Sequence, residues 1–202
     1  SSAASDVYKR QAGQATPLEL SLATNSLIEK YKKFVKLMHA NNCKVIAQIK
    51  HGGSKAAYAA SIGVPFLVPS MKEMSPRDIE YGKSMVEKLT PIEMNEFVSN
   101  LKGAGNFKVM KQEDIEIVVG QFRDAAERAF KANLDGIEIH AGHGYIISSF
   151  LSRATNLRTD QYGGSLKNRM RLLDEIIDAI RTKVPRNFPV IVRLDGEEIN
   201  IK

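Results

Sequence analysis

The sequence contains a single cysteine, so it can form no disulfide framework and no cysteine-based zinc or iron–sulfur site within its 202 residues. No apolar run approaches the roughly 18 residues that a membrane-spanning helix needs. No charged-then-apolar leader of the secretory type opens the chain. We therefore expect a soluble, globular chain of the cytoplasm with no membrane partner. Cys43, just before a predicted strand, is expected to be a small buried apolar residue.

Clustered charge and aromatic side chains are also scarce. The net charge is +6, and aromatic residues make up only 7% of the chain. The densest basic group is Lys30, Lys32, Lys33 and Lys36, within a predicted helix. A nucleic-acid surface needs a basic stripe with interleaved aromatic residues. The composition therefore favours a solvated helix face and no nucleic-acid partner.

Apolar residues recur at helical spacing in three segments, and short apolar runs typical of buried strands follow them. This alternation predicts an α/β fold with a parallel sheet or barrel. The predicted helices are about Thr24–Ala40, Lys111–Ala132 and a segment that Ser165 caps and Pro185 ends; the predicted strands are Lys44–Ile49, Leu134–His140 and Phe188–Leu194.

Three segments lack a strong pattern. Residues 1–12 have no usable periodicity, and we interpret them as a non-native tail. From about Tyr58 to Gly105 four prolines interrupt the chain and no strong amphipathic helix is predicted. Such long excursions between core elements are more often functional than not. A long polar loop is predicted after Tyr145.

Polar side chains stand at the ends of all three predicted strands. Gln48 ends the first, Glu138 and His140 end the second, and Arg193 and Asp195 end the third. Functional groups of parallel α/β folds gather where strands end and loops begin. Strand alternation also places Glu138 and His140 on one face. These residues are therefore candidates for a shared site. Lys50 and His51 are as consistent with lining a loop as with contacting a substrate.

The segment that follows the second strand carries His140, His143 and Tyr145, and three interpretations of it stay open. The histidines could simply bond loop carbonyls. They could bind a metal, as in a metal-dependent barrel hydrolase, although Glu138 is the one nearby carboxylate and the helical H-E-x-x-H spacing is absent. They could instead donate to a substrate oxygen, with Tyr145 as a general acid.

A longer motif surrounds these residues: DGIEIHAGHGYII at 135–147, followed by NLRTDQYGGS at 156–165. It closely resembles the old yellow enzyme family of NADH:flavin oxidoreductases and ene-reductases, whose fold is an FMN-binding (β/α)8 barrel. The segments AQIKHGG at 47–53 and VRL at 192–194 fall where that family contacts the flavin ring. The resemblance is thin between Tyr58 and Lys111.

The resemblance implies a role for each matched residue. Gln48 would bind the polar edge of the flavin ring, and Arg193 would lie near its N1 and O2. His140 and His143 would hold the substrate's carbonyl oxygen. Tyr145 would protonate the α-carbon after hydride reaches the β-carbon of an enone or enoate. NADH or NADPH would supply the electrons. The loop from Arg158 to Arg169 is rich in turn and cap residues, so its own composition favours a structural role over direct catalysis, with its arginines pairing with nearby carboxylates.

The resemblance also places only about strands three to five of the barrel, with their helices, in this sequence. Residues 13–202 are accordingly expected to be an incomplete FMN-dependent barrel domain, an internal fragment of a longer product. A fragment would expose interior apolar surface and bind FMN weakly. A non-catalytic barrel segment is the remaining alternative, and the sequence predicts no oligomeric state.

Overall fold

The structure is a computed structural model that describes residues 13–14, 20–71, 80, 83–84, 87–91 and 106–197. The proposed tail at residues 1–12 lies outside the described residues, as does most of 72–105. The helices are α1 Ile28–Ala40, α2 Ala57–Ser61, α3 Gln112–Lys131, α4 Ile146–Leu151 and α5 Leu166–Arg181; the strands are β1 Ile46–Ile49, β2 Phe66–Val68, β3 Phe107–Val109, β4 Gly136–Ala141 and β5 Val190–Leu194.

The strands form two parallel sheets. One has the order β1-β4-β5, and the other pairs β2 with β3. A parallel pair requires a crossover connection, and α5 supplies the one between β4 and β5. The predicted α/β class with a parallel sheet is confirmed. Within the described part of the chain, no helix is both long and apolar enough to cross a bilayer.

The core lies on one face of the three-stranded sheet. Ile137 and Ile139 of β4 are fully buried there, in one cluster with apolar side chains of α3 and α5. On the opposite face Ile46 and Ile191 are 47% and 41% exposed. The two faces of the sheet therefore differ: one is a completed core, and the other carries polar side chains and open apolar surface.

The long helices begin and end close to the predicted bounds. Ser165 caps α5, because its hydroxyl accepts the backbone N–H of Asn168 at 3.2 Å. Asp114 accepts the backbone N–H of Lys111 at the start of α3. Thr24 makes no such cap bond, and a 3-10 turn at Asn25–Leu27 precedes α1. The predicted start of the first helix at Thr24 is therefore four residues too early for the α-helix itself.

Several short elements contradict the predictions. The long polar loop predicted after Tyr145 begins with the six-residue helix α4, and only residues 152–165 are loop. The weakly patterned segment after Tyr58 contains β2, whose three residues are too few to show a period. Cys43 is exposed instead of buried, because it lies in the turn before β1, where its thiol is 3.6 Å from the carbonyl oxygen of Asn41.

Asp135 joins α1, β1 and β4 at the amino ends of the strands. One carboxylate oxygen lies 2.7 Å from His39 Nε2 and accepts the backbone N–H of Val45 at 2.8 Å, and the other accepts from Lys44 at 2.9 Å. Burial by itself would raise the pKa of Asp135, but the hydrogen bonds from His39, Val45 and Lys44 outweigh it and hold that pKa well below its usual value.

We expect Asp135→Ala to destabilise the fold by about 1–3 kcal/mol, because it leaves the partly buried N–H of Val45 without its acceptor. Since the folded pKa lies below the unfolded value of about 3.9, the contribution is complete above that pH and is lost as the pH falls through the lower folded pKa. Denaturant unfolding at pH 7 and pH 3 measures both effects. The exposed Asp174→Ala is the control, and equal losses in the two variants would show that the Asp135 contacts contribute nothing specific.

Candidate active site

Four polar side chains share the open face of the three-stranded sheet. Gln48 is in register with Glu138, and His140 is in register with Arg193. Residues in register on parallel strands point to the same face, and alternation within β4 puts Glu138 and His140 together. The Gln48 side-chain amide donates to the Glu138 carboxylate. The structure therefore places these four candidate residues together on one face of the sheet.

His140 and His143 contact each other directly. Their Nε2 and Nδ1 atoms are 3.0 Å apart, and the two rings meet edge to face. The backbone N–H of Gly142 donates to His140 Nδ1 at 3.2 Å. A neutral imidazole that accepts at Nδ1 carries its proton on Nε2, so we assign His140 as the donor to His143.

His140 is 4% exposed, whereas His143 is exposed. Burial, with the neighbouring charges of His143 and Arg193, lowers the pKa of His140 below its ordinary value. His140 is therefore a neutral hydrogen-bond donor at pH 7. An uncharged donor can polarise a bound oxygen without titrating near neutral pH.

Tyr145 completes the cluster. Its ring centroid lies 5.0 Å from that of His140 and 6.5 Å from that of His143, both edge to face. The ammonium of Lys50, which follows β1, lies 4.8 Å from the Tyr145 ring centroid. The structure thus brings together the three residues predicted for catalysis, and it places Lys50 against the phenol ring.

The loop from Gly142 to Tyr145 has an unusual backbone. His143 and Gly144 have φ values of 57° and 68°, the left-handed region that a non-glycine residue rarely adopts. Both backbone polar atoms of His143 are engaged by charged side chains: Asp195 accepts from its N–H, and Lys55 donates to its carbonyl oxygen at 2.6 Å. Nothing in the sequence indicates the Lys55 contact, because it joins residues 88 positions apart.

His51 supports the same loop from the β1 side. Its carbonyl oxygen accepts the N–H of Ile146 at 3.1 Å, and its ring Nδ1 accepts the N–H of Gly53. The ring is buried, and its Nε2 has no hydrogen-bond partner among the described residues. Burial lowers the pKa of His51 to about 4, so the ring is neutral. Of the two roles left open for His51, its contacts favour lining the loop.

The arrangement of possible metal ligands tests the interpretation of His140 and His143 as a metal site. Within residues 13–14, 20–71, 80, 83–84, 87–91 and 106–197, no three His, Cys, Asp or Glu side chains come together as ligands. The Asp195 carboxylate contacts His143 through the backbone N–H, from which both of its oxygens accept. A hydrolytic metal centre at His140 and His143 therefore has no supporting geometry in these residues.

Comparison with known proteins places the chain in a family. Residues 4–200 match the model of the NADH:flavin oxidoreductase / NADH oxidase family. The chain belongs to this family. The family predicted from the motifs is confirmed. The match begins inside the segment that was expected to be a tail.

Individual relatives agree with this assignment. An NADH:flavin oxidoreductase of Gibberella zeae is 34% identical over 92% of this chain and 42% of its own length. An NADPH dehydrogenase of Halalkalibacterium halodurans is 36% identical over 92% of this chain and 45% of its own length. The old yellow enzyme from Pichia sp. AKU4542 superposes with a TM-score of 0.69 at 26% identity, over 94% of this chain and half of its own. The chain thus spans half or less of each relative's length.

The family motif at 156–165 holds the framework of the site. Arg158 Nη1 donates to the carbonyl oxygens of Pro69 and Met110, just beyond β2 and β3, at 3.0 and 2.7 Å. Asn156 Nδ2 donates to the carbonyl oxygens of Phe150 and Tyr162. Arg158 pairs with Asp160, as predicted, whereas Arg169 donates to the backbone carbonyl oxygens of Leu151 and Gly164. The expectation that this loop is structural agrees with these contacts.

We expect Gly163→Ala to destabilise the protein by about 3 kcal/mol or more, because the added methyl cannot be accommodated. A Cβ at this position would lie 1.9 Å from the Arg158 carbonyl oxygen. The matched control is Gly120→Ala within α3, where the nearest atom is a guanidinium nitrogen 3.8 Å away. Alanine is the better helix former by about 1 kcal/mol, so the control should gain stability. Thermal unfolding of both variants decides, and a Gly163→Ala variant as stable as the parent would disprove the packing argument.

We expect His140 to titrate below 6.5, and Arg193→Gln to raise its pKa because one of the nearby positive charges is removed. NMR titration of the ring protons measures both values. Lys183→Gln, which removes an exposed charge two residues after α5, should leave the pKa of His140 unchanged. A His140 pKa at or above 6.5 would contradict the assignment of a neutral donor.

Proposed function

We propose that this chain provides the substrate-facing part of an FMN-dependent oxidoreductase that reduces activated alkenes with electrons from NADH or NADPH. One observation carries the proposal. His140, His143 and Tyr145 form one cluster at the edge of the sheet face that presents Gln48 and Arg193. Family membership supplies the class of chemistry, and this arrangement supplies residues suited to it.

The residues on the open face suit a flavin. The polar edge of its ring alternates acceptor and donor atoms, and the Gln48 amide offers one of each. The bond from its nitrogen to Glu138 leaves its oxygen available as an acceptor in this orientation. The Arg193 guanidinium, exposed on β5, would stabilise negative charge on the reduced ring. When bound, the FMN supplies the hydride, and the protein supplies orientation and polarisation.

The two histidines are proposed to bind the carbonyl oxygen of the substrate. His140 carries its proton on Nε2, which now points at His143 Nδ1. A substrate carbonyl oxygen would accept the hydrogen bond from His140 Nε2–H in place of His143 Nδ1. The hydrogen bond would draw electron density from the conjugated double bond and favour hydride addition at the β-carbon.

Tyr145 is proposed to complete the reduction. Hydride addition leaves an electron pair on the α-carbon, and the phenol O–H would protonate it, so that one hydride and one proton saturate the double bond. The resulting phenolate would recover its proton from water. The Lys50 ammonium beside the ring would stabilise the phenolate during this exchange.

The three-stranded sheet is proposed to be part of a (β/α)8 barrel. Its open face combines Gln48, Glu138 and Arg193 with the exposed apolar residues Ile46 and Ile191. Such a face is typical of a barrel interior, where side chains of other strands would cover it. The TM-score of 0.69 with an old yellow enzyme supports the same architecture. Residence in the cytoplasm stays a prediction.

We expect Tyr145→Phe, made in the intact protein, to lower the rate of enone reduction by about 100-fold, since the general acid is lost. The variant should retain flavin and should still oxidise NADPH with oxygen as the acceptor, because that reaction needs no proton at a carbon atom. Steady-state rates with 2-cyclohexenone and with oxygen measure the two activities in one preparation.

Gln48→Ala is the companion variant. It should reduce the retention of flavin but leave the ratio of the 2-cyclohexenone rate to the oxygen rate unchanged. Retained flavin is read from visible absorbance after gel filtration. An unchanged enone rate in Tyr145→Phe would remove the phenol from the mechanism, and an intact protein that binds no flavin would overturn the proposed function.

A further inference from the structure

Asp195 lies two residues beyond Arg193, just after β5, and it is bound to a different loop. Its two carboxylate oxygens accept the backbone N–H of His143 at 2.9 and 3.0 Å. The Ser148 hydroxyl donates to one of them at 3.0 Å and accepts the N–H of Gly144 at 3.2 Å. One carboxylate therefore ties the end of β5 to the loop that carries His143 and Tyr145.

The geometry points to Asp195 as a positioning residue that sets the placement of His143 and Tyr145 relative to His140. This inference rests on the proposed function for its catalytic consequence. His143 holds a left-handed backbone with φ of 57°, which costs a non-glycine residue free energy. A bidentate acceptor on its N–H offsets that cost, because charge-assisted hydrogen bonds are stronger than neutral ones.

The surroundings of Asp195 agree with a permanent carboxylate. The backbone N–H of His143 holds the pKa of Asp195 below its usual value, against the opposing effect of burial, and the Ser148 hydroxyl acts in the same direction as the N–H. The same short segment, residues 193–195, thus offers Arg193 to the proposed flavin and Asp195 to the loop of the proton donor. Asp195 would thereby fix the proton donor with respect to the hydride donor.

Gly142 reveals how closely the carboxylate approaches the loop. A Cβ on Gly142 would lie 2.6 Å from Asp195 Oδ1, which is too short for any real contact. Gly142 does not have a positive φ, so alanine can adopt its backbone conformation. The clash would be with Asp195, since the next side chain, His140, has its Cε1 3.4 Å from the added Cβ, close to ordinary contact. Gly142→Ala should therefore push the carboxylate away while leaving it chemically intact.

The test uses Asp195→Ala and Asp195→Asn in the intact protein, with the exposed Glu197→Ala as the matched control. Hydrogen exchange of the peptide spanning 142–148 reports the loop directly and does not depend on any substrate. We expect Asp195→Ala to speed exchange there by about tenfold or more, with α3 unchanged. Asp195→Asn, which keeps a single acceptor oxygen, should fall between Asp195→Ala and the parent.

Kinetics separate positioning from general stability. Asp195→Ala should lower the rate of 2-cyclohexenone reduction by about tenfold or more, whereas NADPH oxidation by oxygen in the same preparation should stay constant. A merely structural loss would lower both rates together with flavin content. Hydrogen exchange reports the order of the loop even if the protein reduces no enone. Absent enone reduction would therefore contradict the proposed function, whereas unchanged exchange would contradict this inference.

A double-mutant cycle with Gly142→Ala completes the test. Gly142→Ala alone should reproduce the exchange pattern of Asp195→Ala. In the double variant the methyl meets no carboxylate, so its effect should be no larger than that of Asp195→Ala alone. Unchanged exchange in Asp195→Ala, Asp195→Asn equal to the parent, or independent effects of the two substitutions would each overturn the inference. If Asp195→Ala does not fold, Asp195→Asn and Gly142→Ala still decide it.

Discussion

The site depends on the parallel pairing of β4 with β1 on one side and with β5 on the other. This pairing fixes which residues are neighbours: Gln48 stands opposite Glu138, and Arg193 stands opposite His140. If β4 slipped by one residue, its polar side chains Glu138 and His140 would turn into the core. Ile137 and Ile139, both fully buried, would then move to the open face, so their burial opposes the slip.

Carboxylates reinforce this pairing at both ends of β4. At the amino end Asp135 binds α1 and the start of β1, and at the carboxyl end Asp195 binds the loop after β4 from β5. Asp135 is partly buried and Asp195 is exposed, and both accept hydrogen bonds from backbone N–H groups and from side chains. Ionised side chains therefore stabilise the sheet at the two ends of its strands, and apolar packing against α3 and α5 stabilises its middle.

The long periodic elements could be predicted from the sequence because a buried stripe repeats over several turns, as in α3 and α5. The strand-end residues could be identified for a similar reason, since apolar runs that end in Gln48, His140 and Arg193 are recognisable locally. The three-residue strands β2 and β3 are too short to show a period. The exposure of Cys43 and the Lys55 bond to His143 depend on contacts between distant parts of the chain, which no local pattern encodes.

Arg158 gives the fold a particular tolerance. Its guanidinium binds the carbonyl oxygens of Pro69 and Met110, so one side chain joins the carboxyl ends of both strands of the small parallel sheet. The start of β3 is held separately, because the N–H of Phe66 donates to the carbonyl oxygen of Asn106 at 2.8 Å. The entropy of closing a connection grows only slowly with its length, by about 0.6 kcal/mol for each doubling. With the two strands joined at both ends in this way, a change of length between Val68 and Asn106 is therefore expected to cost the small sheet little stability.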